Sequence, residues 1–192
     1  MSLPAAVRVL AALDAALSAR HRRWYVFGAQ AVLAYGVPRL TADVDVLIEL
    51  NDACARDVVA ELVPAGFELR LELSADQLTT ARLLPLTHGP TSMPVDAVLA
   101  SAPLQREFLE RARRVDLGGA VVPVVSAEDL VAQKILAGRR KDLDDVRGVL
   151  ARQGDALDLA RVRDVLERLE AATRDGRLLG RLARAVKSAR RS

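Results

Sequence analysis

Arg39-Leu40-Thr41-Ala42-Asp43-Val44-Asp45-Val46-Leu47-Ile48 places two carboxylates two residues apart in a run that has the composition of a buried β-strand. Side chains along a strand alternate between two faces. One face would carry Leu40, Ala42, Val44, Val46 and Ile48, and the other would carry Arg39, Thr41, Asp43 and Asp45. Adjacent carboxylates repel each other and are costly to desolvate unless a positive charge lies between them. The stretch therefore predicts either a solvated edge strand with a polar outer face or a site for Mg²⁺ or Mn²⁺.

A strand, a tight turn and a helix are predicted directly upstream. Trp24–Phe27 is aromatic and β-branched, Gly28 follows it, and Ala29–Tyr35 has the composition of a helix that ends at Gly36. Glycine at such a turn lets the backbone approach a ligand, and the first N–H groups of the helix are unpaired donors that attract phosphate. The alternative is that Gly28 only makes a turn and Gly36 only caps the helix.

A third carboxylate, Asp96, interrupts the short apolar run Pro94–Leu99, which is predicted to be a buried strand. An ion pair with a neighbouring arginine would explain it, because the chain is rich in arginine. The functional interpretation is that Asp96 forms a cluster with Asp43 and Asp45.

Together these parts resemble the nucleotidyltransferase superfamily, the DNA polymerase beta-like enzymes, in which a glycine turn is followed by an Asp-x-Asp strand and a later single Asp. The resemblance is closer to the small bacterial nucleotidyltransferases of the abortive-infection and toxin-antitoxin type. It is carried by Gly28-Ala29-Gln30-Ala31, by Gly36-Val37-Pro38-Arg39-Leu40-Thr41-Ala42-Asp43-Val44-Asp45, and by Ser126–Lys134 followed by Lys141-Asp142-Leu143-Asp144-Asp145. One departure is Ala29, where many members have a Gly or a Ser whose hydroxyl would contact phosphate.

The resemblance implies an α/β (α+β) fold. A nucleotidyltransferase core with a small, mixed, twisted sheet flanked by helices would occupy residues 1–125, and a C-terminal helical bundle packed on the core would occupy residues 126–192. Beyond the motifs, helices are predicted over Leu3–Ala19, Asp52–Ala65, Leu104–Arg114, Ser126–Gly138, Leu143–Gln153, Leu159–Thr173 and Leu178–Ala189, and strands over Phe67–Leu73, Ala81–Leu86 and Val121–Val125.

The activity implied is transfer of a nucleoside monophosphate from a nucleoside triphosphate to a hydroxyl acceptor by two-metal chemistry. The catalytic residues would be Asp43, Asp45, Asp96 and Lys134; the two Mg²⁺ or Mn²⁺ ions would be held by Asp43, Asp45 and Asp96; and the nucleotide would contact Gly28, Ala29, Gln30, Arg39, Thr41, Lys134 and Asp142. The residues themselves leave alternatives open. Lys134 could be a surface lysine with a packed stem, Arg39 could pair with a carboxylate, and Asp142 could stabilise a helix dipole.

The acceptor is the least determined part. Toxin-like relatives suggest a tRNA 3′ end or a protein side chain as acceptor, and an antitoxin as partner. The antibiotic-modifying branch of the superfamily implies an aminoglycoside-like hydroxyl compound. A third interpretation is a non-catalytic binding protein that keeps the fold while its aspartates only hold structure.

Composition limits the classes of protein. The chain has 192 residues, of which 51% are hydrophobic and 28% charged, with a net charge of +3, as in an ordinary globular protein. Three Phe, two Tyr and one Trp are too few for a base-stacking platform. A lone cysteine, Cys54, excludes an intrachain disulfide and, with no long apolar run, leads us to expect a cytoplasmic protein that does not enter a membrane.

Overall fold

The computed structural model describes residues 3–190. The sequence from Arg181 to Arg191 is rich in arginine and lysine, and its last residue, Arg191, lies outside the described residues. The chain divides into two units. The sheet unit comprises the described residues up to Gln30 and Leu40–Val125, and the helical unit comprises Ala31–Arg39 and the residues from Ser126 onward.

The sheet unit contains a seven-stranded mixed sheet in the order β3-β4-β5-β2-β1-β7-β6. The strands are β1 (Trp24–Phe27), β2 (Val44–Glu49), β3 (Phe67–Leu69), β4 (Leu83–His88), β5 (Met93–Ala100), β6 (Arg113–Asp116) and β7 (Val121–Val124). β2 pairs in parallel with β5, and β1 in parallel with β7, while the other neighbours are antiparallel. The predicted mixed α/β fold is confirmed.

Helices pack on this sheet through apolar stripes. The sheet unit contains α1 (Ala5–Ser18), α3 (Ala55–Leu62), α4 (Ala75–Thr80) and α5 (Pro103–Arg111). α1 buries Val7, Leu10, Leu13 and Leu17, whose three- and four-residue spacing makes one face, and it packs against α3, β5 and β7. On the sheet, Val44, Val46 and Ile48 share a fully buried face with Val95 and Ala97. This apolar side leaves the polar groups of β2 and β5 to the other face.

The second unit is helical. α6 (Ala127–Ala137), α7 (Arg140–Gln153), α8 (Leu159–Thr173) and α9 (Leu178–Ala189) pack on one another. α2 (Gly28–Ala34) begins in the sheet unit, and its last four residues belong to the helical unit. Ser126 caps the start of α6, because its Oγ accepts from the N–H of Asp129, and Gly138 in the left-handed conformation follows the end of the helix.

The strand predicted to begin near Arg39 begins instead at Val44. Leu40 is 100% exposed, and Ala42 is also exposed, so neither belongs to an apolar face. The alternating pattern continues upstream of the strand, but Pro38 and the following residues form an irregular segment that does not pair with a neighbouring strand.

Three further elements differ from the sequence-based prediction. Arg113 and Arg114 begin β6 rather than ending a helix, because the helix stops at Arg111. β3 ends at Leu69, and residues up to Leu73 lie outside it. α4 was not predicted, although Ser74 and Gln77 form a capping box that marks its start: the Ser74 Oγ accepts from the N–H of Gln77, and the Gln77 side chain accepts from the N–H of Ser74.

Within residues 3–190, no helix combines the length and the apolar character that a membrane crossing requires.

Candidate active site

Two of the predicted carboxylates are neighbours in the sheet. In the parallel pairing of β2 and β5, Asp45 is the Cα partner of Asp96. Partners in register point to the same face of a sheet, so the two carboxylates stand side by side on the face opposite the buried valines. Both residues are partly exposed. Two neighbouring carboxylates repel each other, and a cation bound between them would relieve that repulsion.

Gly28 lies directly against one of these carboxylates. Its φ of +66° is a left-handed conformation, and a Cβ added there would come within 2.6 Å of the Cγ of Asp45 and closer still to its Oδ2. Two independent constraints therefore require glycine: the backbone angle and the space taken by Asp45. The turn between β1 and α2 thus brings main chain up to the carboxylate.

Asp43 has a different environment from the other two. It precedes β2, and its Oδ1 accepts a hydrogen bond from the Thr41 hydroxyl. In the part of the chain that the structure describes, no group of three or more His, Cys, Asp or Glu side chains is arranged to hold a metal ion. The three-carboxylate site therefore stays a prediction, and the strand register establishes only the Asp45–Asp96 pair.

Arg70 supplies positive charge to that pair. Its Nη2 donates to Asp96 Oδ1, with about a third of each side chain exposed. The N–H of Arg70 donates to Pro85 O at 2.8 Å, and Pro85 is the β4 partner of Asp96. Arg70, Pro85, Asp96 and Asp45 therefore form one transverse row of the sheet.

Glu49, farther along β2 on the face of Asp45, is only 4% exposed. Arg23 donates to both of its carboxylate oxygens, at 2.7 and 2.5 Å. These hydrogen bonds outweigh the effect of burial and hold the pKa of Glu49 below its ordinary value. Glu49 is thus a neutralised structural carboxylate, and it differs in this respect from the more exposed Asp45–Asp96 pair.

In the helical unit, Lys134 is buried among carboxylates. Its Nζ lies 3.0 Å from Asp142 Oδ1 and 2.8 Å from Asp145 Oδ2. Both aspartates are on α7, three residues apart, and therefore share one face of that helix. Lys134 is therefore in contact with Asp142 and with Asp145.

Two arginines extend this network. Arg39 Nη1 lies 2.7 Å from Asp145 Oδ1, and Arg139 Nε lies 2.5 Å from Asp142 Oδ2. Burial opposes ionisation of Asp142, but the hydrogen bonds from Arg139 and Lys134 outweigh it and keep its pKa below the ordinary value. The Nε of Arg39 is buried and has no hydrogen-bond partner among the described residues.

Sequence reasoning missed two residues. Asp145 ends the Lys-Asp-x-x-Asp motif and has no role in the sequence-based prediction, although its three-residue spacing from Asp142 indicates a shared helical face. Arg70 lies in the alternating run Glu68, Arg70, Glu72. That pattern gives its face but not its register, so the contact with Asp96 had no signal in the sequence.

Comparison with known proteins gives a family and a fold. A family model described as a nucleotidyltransferase of unknown function (DUF6036) matches residues 8–176. No curated protein matches the chain.

Among solved structures, the antibiotic-resistance factor ANT(2'')-Ia in complex with adenylyl-2''-tobramycin is similar, with a TM-score of 0.60 and 15% identity over 88% of this chain and 99% of that one. An antigenic nucleotidyltransferase-like protein from Paracoccidioides brasiliensis has a TM-score of 0.53 and 20% identity, with coverage of 95% and 92%. A nucleotidyltransferase described as putative from Thermotoga maritima has a TM-score of 0.52 and 18% identity, with coverage of 78% and 95%. At these identities the likeness shows the fold.

Proposed function

Because the chain belongs to the nucleotidyltransferases of unknown function (DUF6036), we propose that it transfers a nucleoside monophosphate from a nucleoside triphosphate to a hydroxyl acceptor. The observation that carries this proposal is the in-register pair Asp45–Asp96 beside the glycine turn at Gly28. Side-by-side carboxylates are hard oxygen donors, and they fit Mg²⁺ or Mn²⁺ better than they fit an uncharged ligand.

In this proposal the carboxylates bind the metal ions and the glycine turn binds the triphosphate. Asp45 and Asp96 would hold the divalent cation, with Asp43 as a further ligand held ready by Thr41. When bound, two such ions would stabilise charge on the attacking and leaving oxygens of the phosphoryl transfer. Asp96 would also accept the proton of the acceptor hydroxyl. Gly28 and the N–H groups of Ala29 and Gln30 would bind the triphosphate.

In the helical unit, the nucleotide-binding roles of Lys134, Asp142 and Arg39 are part of the same proposal. The three groups belong to one network through Asp145, so their charges are fixed in place. Lys134 would supply positive charge for phosphate, with Asp142 and Asp145 orienting its ammonium group. The Arg39 Nε, which lacks a partner among residues 3–190, is a donor that this role would use.

The acceptor we propose is an RNA end such as a tRNA 3′ end, in a toxin whose activity an antitoxin controls. Exposed cations on α8 and α9, including Arg163, Arg184 and Lys187, would contact a phosphate backbone. A protein hydroxyl and an aminoglycoside are the alternative acceptors. The last is favoured only by the fold shared with ANT(2'')-Ia.

The test is incubation of the purified protein with each labelled nucleoside triphosphate, Mg²⁺, and total RNA, protein or an aminoglycoside. Label on RNA supports the proposed acceptor, and label only on protein or the aminoglycoside selects that alternative. Asp45→Asn and Asp96→Asn should each reduce transfer by about 100-fold or more, while Asp116→Asn, an exposed change on β6, should not. If no acceptor is labelled and no Mg²⁺-dependent nucleotide binding occurs, the protein is the non-catalytic alternative. Growth arrest on expression, relieved by Asp45→Asn, would support the toxin role.

A further inference from the structure

Arg70 lies at the edge of the candidate site but belongs to none of the motifs that identify it. It follows β3, two strands away from β5, and reaches Asp96 across β4. Arg70 therefore contributes a guanidinium to the only two carboxylates that the parallel register of β2 and β5 places side by side.

The exposure of Asp96 distinguishes it from Glu49, the paired carboxylate farther along the same face of the sheet. Arg70 and Asp96 side chains are 36% and 37% exposed, whereas the Glu49 side chain, paired with Arg23, is 5% exposed. Exposed pairs gain little in stability because water screens both charges. The Arg70–Asp96 contact can therefore be exchanged at small cost, whereas the Glu49 pair cannot.

The charges of the bound ligands determine when Arg70 leaves Asp96. Without a cation, Arg70 compensates the charge of Asp96 beside Asp45. A divalent cation held by the same carboxylates would repel the guanidinium, and an incoming triphosphate would attract it.

We propose that Arg70 is an exchangeable counter-ion of the site. It pairs with Asp96 when no metal is bound, releases Asp96 when a divalent cation binds there, and then contacts the triphosphate. This inference rests on the proposed function, because it needs a cation and a nucleotide at Asp45 and Asp96. It predicts effects of opposite sign on two ligands. Removing the guanidinium should strengthen binding of the metal alone and weaken binding of the nucleotide.

The experiment measures Mn²⁺ affinity by electron paramagnetic resonance, without nucleotide, for wild type, Arg70→Gln, Arg82→Gln and Asp96→Asn. Arg82 is the matched control, because it is an exposed arginine of the same unit whose Nη1 donates to the carbonyl of adjacent Ala81. Arg70→Gln should bind Mn²⁺ about threefold to fivefold more tightly, as expected for loss of an exposed competing ion pair. Arg82→Gln should match the wild type.

The second measurement is affinity for a non-hydrolysable nucleoside triphosphate at saturating Mn²⁺, which Arg70→Gln should weaken about threefold to tenfold. Arg70→Lys keeps the charge but loses the paired N–H donors of the guanidinium. Its nucleotide affinity should lie between those of the wild type and Arg70→Gln. If Arg70→Gln behaves like Arg82→Gln while Asp96→Asn loses Mn²⁺, the inference about Arg70 is wrong and the metal site stands. If Asp96→Asn binds Mn²⁺ as the wild type does, the site assigned in the proposed function is wrong.

Discussion

Gly28 and Asp45 are packed so closely that the carboxylate of Asp45 occupies the space where any other residue at position 28 would place its Cβ. The glycine also has a φ of +66°, which other residues adopt at a cost. The backbone conformation and the packing against Asp45 therefore both require glycine at position 28, beside the carboxylate pair.

Gly28→Ala should destabilise the protein more than the backbone angle alone explains. Gly36→Ala is the matched control, since Gly36 has a φ of +81° and no heavy atom within 4 Å of an added Cβ. Gly36→Ala should cost about 1–2 kcal/mol in the free energy of unfolding, as left-handed alanine does. Gly28→Ala should cost more, about 3 kcal/mol, because Asp45 must move. Equal losses of unfolding free energy in the two variants, measured by urea unfolding, would show that Asp45 moves aside at no cost.

Gly28→Ala should also reduce nucleotide transfer by more than Gly36→Ala, because it displaces a proposed metal ligand. Assays on the folded fraction of each variant separate this effect from stability. Equal activity of the two variants would contradict a catalytic position for Asp45.

Regular elements with strong local signals were predicted well. β1, α8 and α9 have the predicted ends, because alternation or helical periodicity coincides there with clear stop signals. β2 was extended too far, since Leu40 and Ala42 continue the alternating pattern without any partner strand. Periodicity cannot show where pairing stops.

The site could be predicted only as residue types. Asp45 and Asp96 are 51 positions apart, and nothing in either segment gives the register that makes them partners. The contact of Arg70 with Asp96 depends on the same long-range pairing across β4. The Lys134 network was partly accessible, because Asp142 and Asp145 lie at helical spacing in one motif, but its link to Arg39 spans 106 positions.

Lys134→Met should destabilise the protein by about 3 kcal/mol, because it leaves two buried carboxylates with one cation fewer. Asp142 and Asp145 retain Arg139 and Arg39, which limits the loss. Lys187→Met on the exposed surface of α9 is the control and should change stability by less than about 0.5 kcal/mol. Thermal unfolding of both variants checks the difference, and similar shifts would contradict a buried network.

Ser126→Ala should destabilise α6 by about 1 kcal/mol, because the Ser126 Oγ accepts from the N–H of Asp129 at the start of the helix. Ser126 is 3% exposed and also donates to Asp129 Oδ2, so water cannot easily replace it. Ser18→Ala, at the exposed last residue of α1 where no N-terminal N–H needs an acceptor, is the comparison. An unchanged unfolding midpoint for Ser126→Ala would show that the cap is not needed.

Acid should weaken the Lys134 network through Asp142. The pKa of Asp142 in the folded protein is below the ordinary value of 3.8. As the pH falls, the unfolded chain therefore takes up this proton first, so the contribution of Asp142 to stability is complete above that value and declines below it. The free energy of unfolding should fall between about pH 5 and about pH 2 by less in Asp142→Asn than in the wild type.

The control is Asp144→Asn in the same helix, where the carboxylate is 52% exposed and pairs with Arg147 three residues on. A solvent-screened pair of this kind contributes little, so this variant should follow the wild-type pH profile. The measurement is urea unfolding at each pH, with the slope of stability against pH compared among the three proteins. A wild-type slope in Asp142→Asn would mean that Lys134 and Arg139 do not hold this carboxylate ionised.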